Sequence, residues 1–328
     1  MWYDIKDLID MLEYPRNHDS PMEAEFIRRY IDNIQGMKKD GFGNRYIKIG
    51  HFDTAFLSHL DTVHTQIDST KKQDVMVADG FAFKENNDVW QKKQNKKSKK
   101  KANTYDSYGG MYGYNDFSNF QYLNRSPLGG DDTAGVWLML NLLSSGVPGL
   151  YIFFRGEERG SLGSHYMERN EPNILEGINK AVALDRRDYF DVITHQGGVR
   201  TCSDKFAKAI AKQLGGGYKP CSGGVHCDSA NLTYLVPECT NISVGYFQEH
   251  SNNEILDLDF IGKLYHRLKG VHWNSLPVEK EVEKRALIQK NLLSVWDSNN
   301  NWQWNDAANN LTPKYGGKKG DEWWDKDW

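Results

Sequence analysis

The stretch Tyr151-Ile-Phe-Phe-Arg-Gly-Glu-Glu-Arg-Gly-Ser-Leu-Gly163 organises the rest of the chain. Its first half is a short apolar and aromatic run, which is typical of a buried strand. The run stops at Gly156, and two adjacent carboxylates, Glu157 and Glu158, follow it. In open α/β sheets ligands bind beyond the carboxyl ends of the strands, so this acidic pair lies where chemistry is expected. A solvated acidic turn is the alternative, although two ionised neighbours repel each other unless a cation or a raised pKa relieves them.

The composition excludes several classes of protein. The chain has 328 residues and a formal net charge of −3, so it is long enough for a large core and has no strong field for nucleic acid. No apolar run approaches the length of a membrane span, and residues 1–7 do not resemble a secretion leader. The four cysteines lack the CxxC pairing of a structural zinc site. We therefore predict a cytoplasmic protein with no membrane contact and with reduced, mostly buried thiols.

Two segments do not fit a packed core. Residues 84–125 contain the lysine-rich run 92–101 and a Tyr/Gly/Asn-rich stretch, and residues 297–328 are rich in Asn, Gly, Lys and Trp. Such sequence buries too little apolar area to order itself. We predict a catalytic domain over residues 1–296 with a surface insertion at 84–125, followed by a mostly disordered tail at 297–328. Either segment is a candidate docking site for a protein partner, and nucleic acid is the less favoured partner.

The remaining sequence alternates between helical and strand-like patterns. In chain order we predict helices at 4–12 and 20–34, strands at 45–49 and 54–61, a hairpin at 74–83, a buried helix through 136–143, strands at 150–154 and 180–184, a helix from 203, a strand at 241–245, and helices at 256–268 and 277–296. This alternation predicts an α/β fold, a three-layer α/β/α sandwich around a mostly parallel mixed sheet.

Polar side chains stand at the ends of the predicted strands or at the start of the buried helix. The candidate positions are His59, the pair Asp131/Asp132, the pair Glu157/Glu158, Asp185 and His250. Any one of them is explained by structure alone: a satisfied histidine, or an aspartate that caps the helix. Together at one edge of a parallel sheet they indicate a site.

Two histidines with several carboxylates suit borderline divalent cations, Zn²⁺ first, with Mn²⁺ or Co²⁺ as further candidates. If one aspartate bridges two ions, each ion receives a histidine, the shared aspartate and one further carboxylate. That leaves a position for water at each ion, which is the open coordination of a catalytic site. The remaining glutamate is then free to act as a general base.

Five segments together resemble the motifs of the co-catalytic dinuclear zinc exopeptidases, a superfamily of aminopeptidases, carboxypeptidases, dipeptidases and related deacylases. They are SHLDTV (58–63), LGGDDTAGV (128–136), GEERGSLGS (156–164), ALD (183–185) and VGYFQEHSNNE (244–254). The resemblance spans about residues 1–270 without the insertion, and it implies the fold predicted above, two bound metal ions and a peptide or small amide substrate.

Carried over by position, the resemblance implies a role for each site residue. One metal would be held by His59, Asp131 and Asp185, and the other by Asp131, Glu158 and His250. Glu157 would be the general base, and Asp61 would orient His59. The choice of Asp131 over Asp132 as the bridge rests on the family pattern.

Two departures narrow the resemblance. Only 65 residues (250 − 185) separate the fourth and fifth motifs, which is too short for the lid or dimerisation domain of many members, so the chain resembles the single-domain aminopeptidase branch. Thr133 replaces the lysine often found in carboxypeptidase-like members. We predict an aminopeptidase-type hydrolase. The alternatives are a metal-dependent deacylase or carboxypeptidase and a catalytically inactive binding protein, and Arg186 and Asp228 are pocket candidates without an assigned role.

Overall fold

In the computed structural model, the described part of the chain comprises residues 3–84 and 126–282 and the backbones of Trp302–Gln303 and Lys314–Tyr315. Met1–Val282 form one compact unit and Glu283–Trp328 form a second. Apart from Lys84 and those two short strands, the predicted insertion at 84–125 and the predicted tail at 297–328 lie outside the described residues. Both therefore stay predictions, as does the boundary at residue 296.

The strands of the first unit are, in chain order, β1 (Lys38–Lys39), β2 (Arg45–Ile49), β3 (Thr54–His59), β4 (Met76–Ala78), β5 (Phe81–Phe83), β6 (Gly149–Phe154), β7 (Lys180–Arg186), β8 (Asp191–Ile193), β9 (His195–Gln196), β10 (Val199–Arg200), β11 (Lys219–Cys221), β12 (Glu238–Ser243), β13 (Tyr246–Phe247) and β14 (Ile255–Asp257). In the second unit, β15 (Trp302–Gln303) and β16 (Lys314–Tyr315) pair antiparallel.

The central sheet has eight strands in the order β1-β2-β6-β3-β7-β12-β8-β11. The four strands β6, β3, β7 and β12 run parallel, whereas β2 is antiparallel to β6 and β8 is antiparallel to β12. A smaller sheet has the order β13-β14-β5-β4, and its β4–β5 hairpin turns at Asp79 and Gly80 as predicted. The mostly parallel mixed sheet is confirmed.

Helices cover both faces of this sheet. The α-helices are Ile5–Leu12, Pro21–Phe26, Gly130–Ser144, Leu162–Asn170, Asp204–Leu214, Asp228–Asn231 and Leu258–Gly270, Ile27–Ile31 is a π-helical turn, and short 3-10 turns lie at Asp68–Thr70, Pro172–Leu175, Leu232–Tyr234 and Trp273–Ser275. Helix Gly130–Ser144 is buried along nearly its whole length, as its apolar sequence predicts.

Alternating side chains of the parallel strands build two separate cores. On β6, Tyr151 and Phe153 join the larger core with helix Gly130–Ser144, while Leu150, Ile152 and Phe154 join the smaller core with Met167 and Leu232. The strand period of two therefore directs successive residues to opposite helical layers. This arrangement is the predicted three-layer α/β/α sandwich.

Two local predictions need correction. Residues 277–282 are not helical, because the buried carboxylate of Glu238 accepts the N–H groups of Glu279 and Lys280 at 2.8 and 3.0 Å, and residues 283–296 lie outside the described residues. The second is the helix predicted at 20–34, which ends at Ile31 and begins at Ser20 with a capping box that is only half formed. The Ser20 hydroxyl accepts the N–H of Glu23, but the Glu23 carboxylate instead takes the N–H of Asp19 and an ion pair with Arg155.

The described residues between Asp185 and His250 belong to the first unit, as expected for a chain without a lid domain there. The four cysteines are free, and all except Cys221 are buried. Among the described residues, no helix combines the length and apolar character that crossing a membrane requires.

Candidate metal centre

The carboxyl ends of adjacent parallel strands bring the candidate residues together. His59 is the last residue of β3 and pairs in register with Phe154, the last residue of β6. The turn with Glu157 and Glu158 follows β6 directly, and Asp185 lies near the end of β7, on the other side of β3. His250 comes from the loop between β13 and β14.

Asp131 lies between the two histidines. Its Oδ1 is 2.9 Å from Nε2 of His59, and its Oδ2 is 3.2 Å from Nε2 of His250. Each carboxylate oxygen therefore faces a different imidazole. This is the arrangement that a carboxylate bridging two ions requires.

A further carboxylate completes each side of Asp131. On the inner side, made of His59 and Asp185, the histidine Nε2 lies 3.5 Å from Oδ1 of Asp185. On the outer side, made of Glu158 and His250, the histidine Nε2 lies 2.9 Å from Oε1 of Glu158. Each side with Asp131 forms a group whose ligand atoms lie within 4.8 Å of one another. Zinc bonds of roughly 2.0–2.2 Å in a tetrahedron separate ligand atoms by roughly 3.3–3.6 Å, which is close to the distances on both sides.

The candidate ligands place several carboxyl groups close together in a buried site. Burial raises the pKa of Asp185 to about 6 and that of Glu158 to about 7, and the charge of Asp131 adds to both shifts. Burial also acts to raise the pKa of Asp131, but its bonds to His250 and His59 hold it below its usual range.

The two histidines respond in the opposite direction. Burial acts to lower the pKa of His250, but Glu158 and Asp131 raise it to about 12, and Asp131 and Asp185 raise the pKa of His59 well above its usual value. The carboxylates therefore favour the protonated form of both imidazoles. A divalent cation would supply the same positive charge, and its binding would release these protons.

Asp61 holds the turn that carries the two glutamates. Its Oδ1 accepts the N–H groups of Gly156 at 2.8 Å and Glu157 at 3.1 Å, and its Oδ2 accepts the N–H of Glu158 at 3.1 Å. The ring of His59 is fixed mainly by the backbone carbonyl of Asp61, at 2.9 Å from Nδ1, whereas the carboxylate is 3.8 Å away. Asp61 therefore orients His59, as predicted, mainly through its backbone carbonyl, whereas its carboxylate binds the turn, which was not predicted.

Asp132 differs from Asp131 in its contacts. Its Oδ1 accepts the N–H of Gly135 at 2.9 Å, and its Oδ2 accepts the N–H of His59 at 3.3 Å. Asp132 thus supports the start of the helix and the end of β3, whereas Asp131 faces the histidines. The peptide bond between the two aspartates is cis.

Glu157 faces the inner side without a bond to either histidine among the hydrogen bonds of the described residues. One of its carboxylate oxygens lies within 4.8 Å of ligand atoms of His59 and Glu158. Burial raises its pKa well above the usual value, and Glu158 and Asp185 add to the shift. A carboxylate with a raised pKa next to candidate metal ligands is in the environment expected of a general base.

The two pocket candidates differ in their surroundings. Asp228 begins the short helix Asp228–Asn231, is buried, and accepts a 2.5 Å hydrogen bond from the hydroxyl of Ser164. Burial raises its pKa to about 7. Arg186 donates to the carbonyl of Gly223 at 3.3 Å, with Asp191 3.7 Å away, and its buried Nε–H has no hydrogen-bond partner in the described part of the chain.

Sequence reasoning gave no role to two buried charged residues next to the centre. Arg16 is fully buried and donates to the carbonyl of Leu60 at 2.6 Å and to the hydroxyl of Thr133 at 2.9 Å. Glu254 is 1% exposed and lies within the last quoted motif. No sequence signal distinguishes Arg16 from a surface arginine. Glu254 could have been noticed, because it stands four residues after His250 in the same motif.

Both oxygens of Glu254 accept backbone N–H groups: Oε2 from Gly129 at 2.8 Å and Oε1 from Asp131 at 2.9 Å. Burial raises the pKa of Glu254 to about 8, and the two bonds oppose that shift. The two bonds favour the ionised form of the carboxylate. Cations in the neighbouring centre would further favour it.

Comparison with known proteins shows the fold. No protein-family model and no curated protein matches the sequence. A tripeptidase from Staphylococcus aureus matches with a TM-score of 0.56 at 12% identity, over 82% of this chain and 96% of that one. The aminopeptidase PepT from Bacillus cereus matches with a TM-score of 0.55 at 12% identity, over 81% and 96%. The TET1 peptidase of Pyrococcus horikoshii matches with a TM-score of 0.51 at 16% identity, over 81% and 98%. The chain has the fold of these peptidases.

Proposed function

We propose that this protein is a two-metal exopeptidase of the aminopeptidase type. The observation that carries the proposal is the position of Asp131, whose two oxygens face His59 and His250 at 2.9 and 3.2 Å. The fold shared with solved aminopeptidases and a tripeptidase supports peptides as substrates.

The chain offers three protein ligands for each ion. The inner ion would take His59, Asp131 and Asp185, and the outer ion would take Asp131, Glu158 and His250. Imidazole and carboxylate donors favour Zn²⁺, and they also accept Mn²⁺ or Co²⁺. Three ligands per ion leave a position open, which distinguishes a catalytic centre from a structural one. When bound, the ions would polarise the scissile carbonyl and lower the pKa of a water molecule.

Glu157 and Asp61 have roles other than metal binding, and Glu158 has to be distinguished from Glu157. Glu157 accepts the proton of the attacking water and passes it to the leaving amine. Asp61 keeps Glu157 and Glu158 in place through its three bonds to the turn. Glu158 is assigned as the ligand of the pair because its Oε1 contacts His250 at 2.9 Å.

Metal analysis with a peptide panel tests the proposal. Purified protein should contain up to two divalent ions per chain, and chelation should abolish activity. The panel contains two series of peptides, one with a free and one with an acylated amino terminus. Each series is prepared with a free and with an amidated carboxyl terminus.

The panel separates the alternatives. Cleavage that needs a free amino terminus and ignores the carboxyl terminus supports an aminopeptidase. Cleavage that needs a free carboxyl terminus, or release of the acyl group, indicates the carboxypeptidase or deacylase instead. Protein that binds metal but cleaves none of these compounds, and behaves like its Glu157→Gln variant, indicates the inactive binding protein.

A further inference from the structure

We infer that Glu254 is a positioning residue that fixes the bridging aspartate, Asp131, in its place between the two metal sites. The inference rests on the proposed function, because it assigns Glu254 to the metal centre through Asp131. Glu254 is not in any of the candidate ligand groups, so the role assigned to it is to position a ligand.

The contacts of Glu254 join two segments that are far apart in sequence. Its Oε2 accepts the N–H of Gly129 and its Oε1 accepts the N–H of Asp131, 125 and 123 residues away. Both acceptor oxygens are therefore used by the segment that begins helix Gly130–Ser144. Since Glu254 leads directly into β14, which pairs with β5, its own backbone is held by the smaller sheet.

The place of these bonds matters because helix Gly130–Ser144 does not begin regularly. Asp131 and Asp132 have non-helical backbone angles (ψ of 107° and 44°), so helical hydrogen bonding alone does not determine where the Asp131 side chain points. A carboxylate that binds the N–H of Asp131 itself supplies this constraint. The same segment is tied again by the N–H of Ser126, which donates to Asn252 at 2.7 Å.

Glycine at position 130 leaves room for this carboxylate. A Cβ atom there would lie 3.1 Å from Oε1 of Glu254 and 3.3 Å from Cβ of Tyr246. The Gly129-Gly130 pair of the motif is thus explained in part by the close approach of Glu254. His250, the outer histidine, lies on the same loop as Glu254, so one segment carries a ligand and also holds the bridge.

The test is the isosteric substitution Glu254→Gln. A glutamine has one acceptor oxygen, so one of the two N–H groups would face an NH2 group instead of an acceptor. Replacing a residue that hydrogen-bonds a metal ligand and orients it typically lowers metal affinity by about 10–100-fold. We expect Glu254→Gln to lower zinc affinity by about that factor. The Co²⁺-substituted variant should also show an altered absorption spectrum, because the bridge is displaced.

Glu238→Gln is the matched control. Glu238 is also fully buried, and its carboxylate also accepts backbone N–H groups, from Ser203 at 2.6 Å and from Glu279 at 2.8 Å. It stands at the first residue of β12, at the opposite end of the sheet from the metal centre. Glu238→Gln should lose stability when metal-free yet keep wild-type zinc affinity and the wild-type Co²⁺ spectrum.

The outcomes separate the inference from the proposed function. If the wild type binds two ions and Glu254→Gln binds them with unchanged affinity and spectrum, the inference is wrong and the metal centre stands. If the wild type binds no ions, both fail. Zinc affinity that falls equally in Glu238→Gln would reduce Glu254 to a general contribution to stability and overturn the inference. Should Glu254→Gln not fold, amide exchange in the metal-free wild type decides: slow exchange at Gly129 and Asp131 supports the inference, and rapid exchange overturns it.

Discussion

The inner and outer sides of Asp131 are built from the same kinds of residue but are held differently. The His59 side chain is 2% exposed and lies at the end of a central strand, whereas the His250 side chain is 40% exposed and lies on a loop. Gln248 and His250 both have left-handed backbone angles, with φ of 55° and 60°. Such a conformation costs a non-glycine residue about 1–3 kcal/mol and persists only where surrounding contacts determine it.

The two sides are therefore held in place by different kinds of contact. Strand pairing on both flanks of β3 fixes the inner side before any ion binds. The outer side depends on contacts between loops, chiefly the bonds of Asp61 to the Glu157–Glu158 turn and those of Glu254 to Asp131. We therefore expect the outer ion to exchange faster and the substrate to enter from the His250 side.

The largest effect is expected where both sides meet. Asp131→Ala removes a ligand from each ion, so the variant should lose both ions and fall to the background rate. Elemental analysis measures this directly. His59→Ala and His250→Ala are the controls, and each should weaken binding on its own side only. An Asp131→Ala protein that keeps its metal would break the bridging assignment.

The next effect separates the base from the ligand within the adjacent pair. Glu157→Gln should keep both ions and lower kcat by about 10²–10⁴-fold, because it removes only the proton acceptor. Glu158→Gln should lower the affinity of the outer ion first and lose activity as a consequence. Excess zinc should then partly restore Glu158→Gln and leave Glu157→Gln unchanged. The reverse pattern would exchange the two roles.

A smaller effect is expected at Asp61, which touches both sides. Asp61→Asn keeps the backbone carbonyl that binds the His59 ring but leaves one acceptor oxygen for three N–H groups. The outer ion should therefore lose about 10–100-fold in affinity while the inner ion is retained. Competition with a chromophoric chelator measures both affinities. Equal weakening of the two ions would show that Asp61 acts through His59 after all.

The smallest effect concerns His64, which is buried next to Gly129. Its Nε2 contacts the carbonyl of Pro127 at 2.9 Å, and its Nδ1 contacts the hydroxyl of Thr62 at 2.7 Å. Burial lowers its pKa to about 3, with Lys84 and Arg16 adding to the shift. The folded state therefore favours the neutral ring. This contribution to stability is complete above the unfolded-state pKa of about 6.5 and is lost as the pH falls towards 3.

Urea unfolding of metal-free wild type and His64→Gln at pH 7.5 and pH 5 measures this contribution. One group of this kind accounts for about 2 kcal/mol between pH 6.5 and 5, so the wild type should lose about that much more stability than the variant. Equal losses in the two proteins would show that His64 is not held neutral.

Much of the fold was accessible from the sequence because each layer leaves its own period. The apolar run before Gly156 and the apolar helical segment 136–143 can be buried in few other ways, and the β4–β5 turn follows from Asp79-Gly80. Boundaries were less accessible. Helix Leu258–Gly270 begins after Asp257 because that side chain caps the N–H of Phe260, a choice that apolar spacing does not reveal.

The contacts that support the centre could not be derived from the sequence. The motifs contain His59, Asp131 and Glu158, but the sequence of a motif does not indicate which carboxylate binds which backbone N–H. Glu254 and Asp61 act on segments about a hundred residues away, so their roles depend on topology rather than on local pattern. The helix predicted at 277–282 is wrong for a similar reason. Glu238, which lies on the distant strand β12, accepts backbone N–H groups of this segment.

The most direct test of the two-sided centre is anomalous diffraction at the zinc edge from crystals of the zinc-loaded protein. Two peaks are expected, on opposite sides of Asp131. One should lie within bonding distance of His59 and Asp185, the other within bonding distance of Glu158 and His250, and Asp131 should contribute one oxygen to each. A single peak, or a peak that Asp131 does not contact, would contradict a two-metal centre bridged by Asp131.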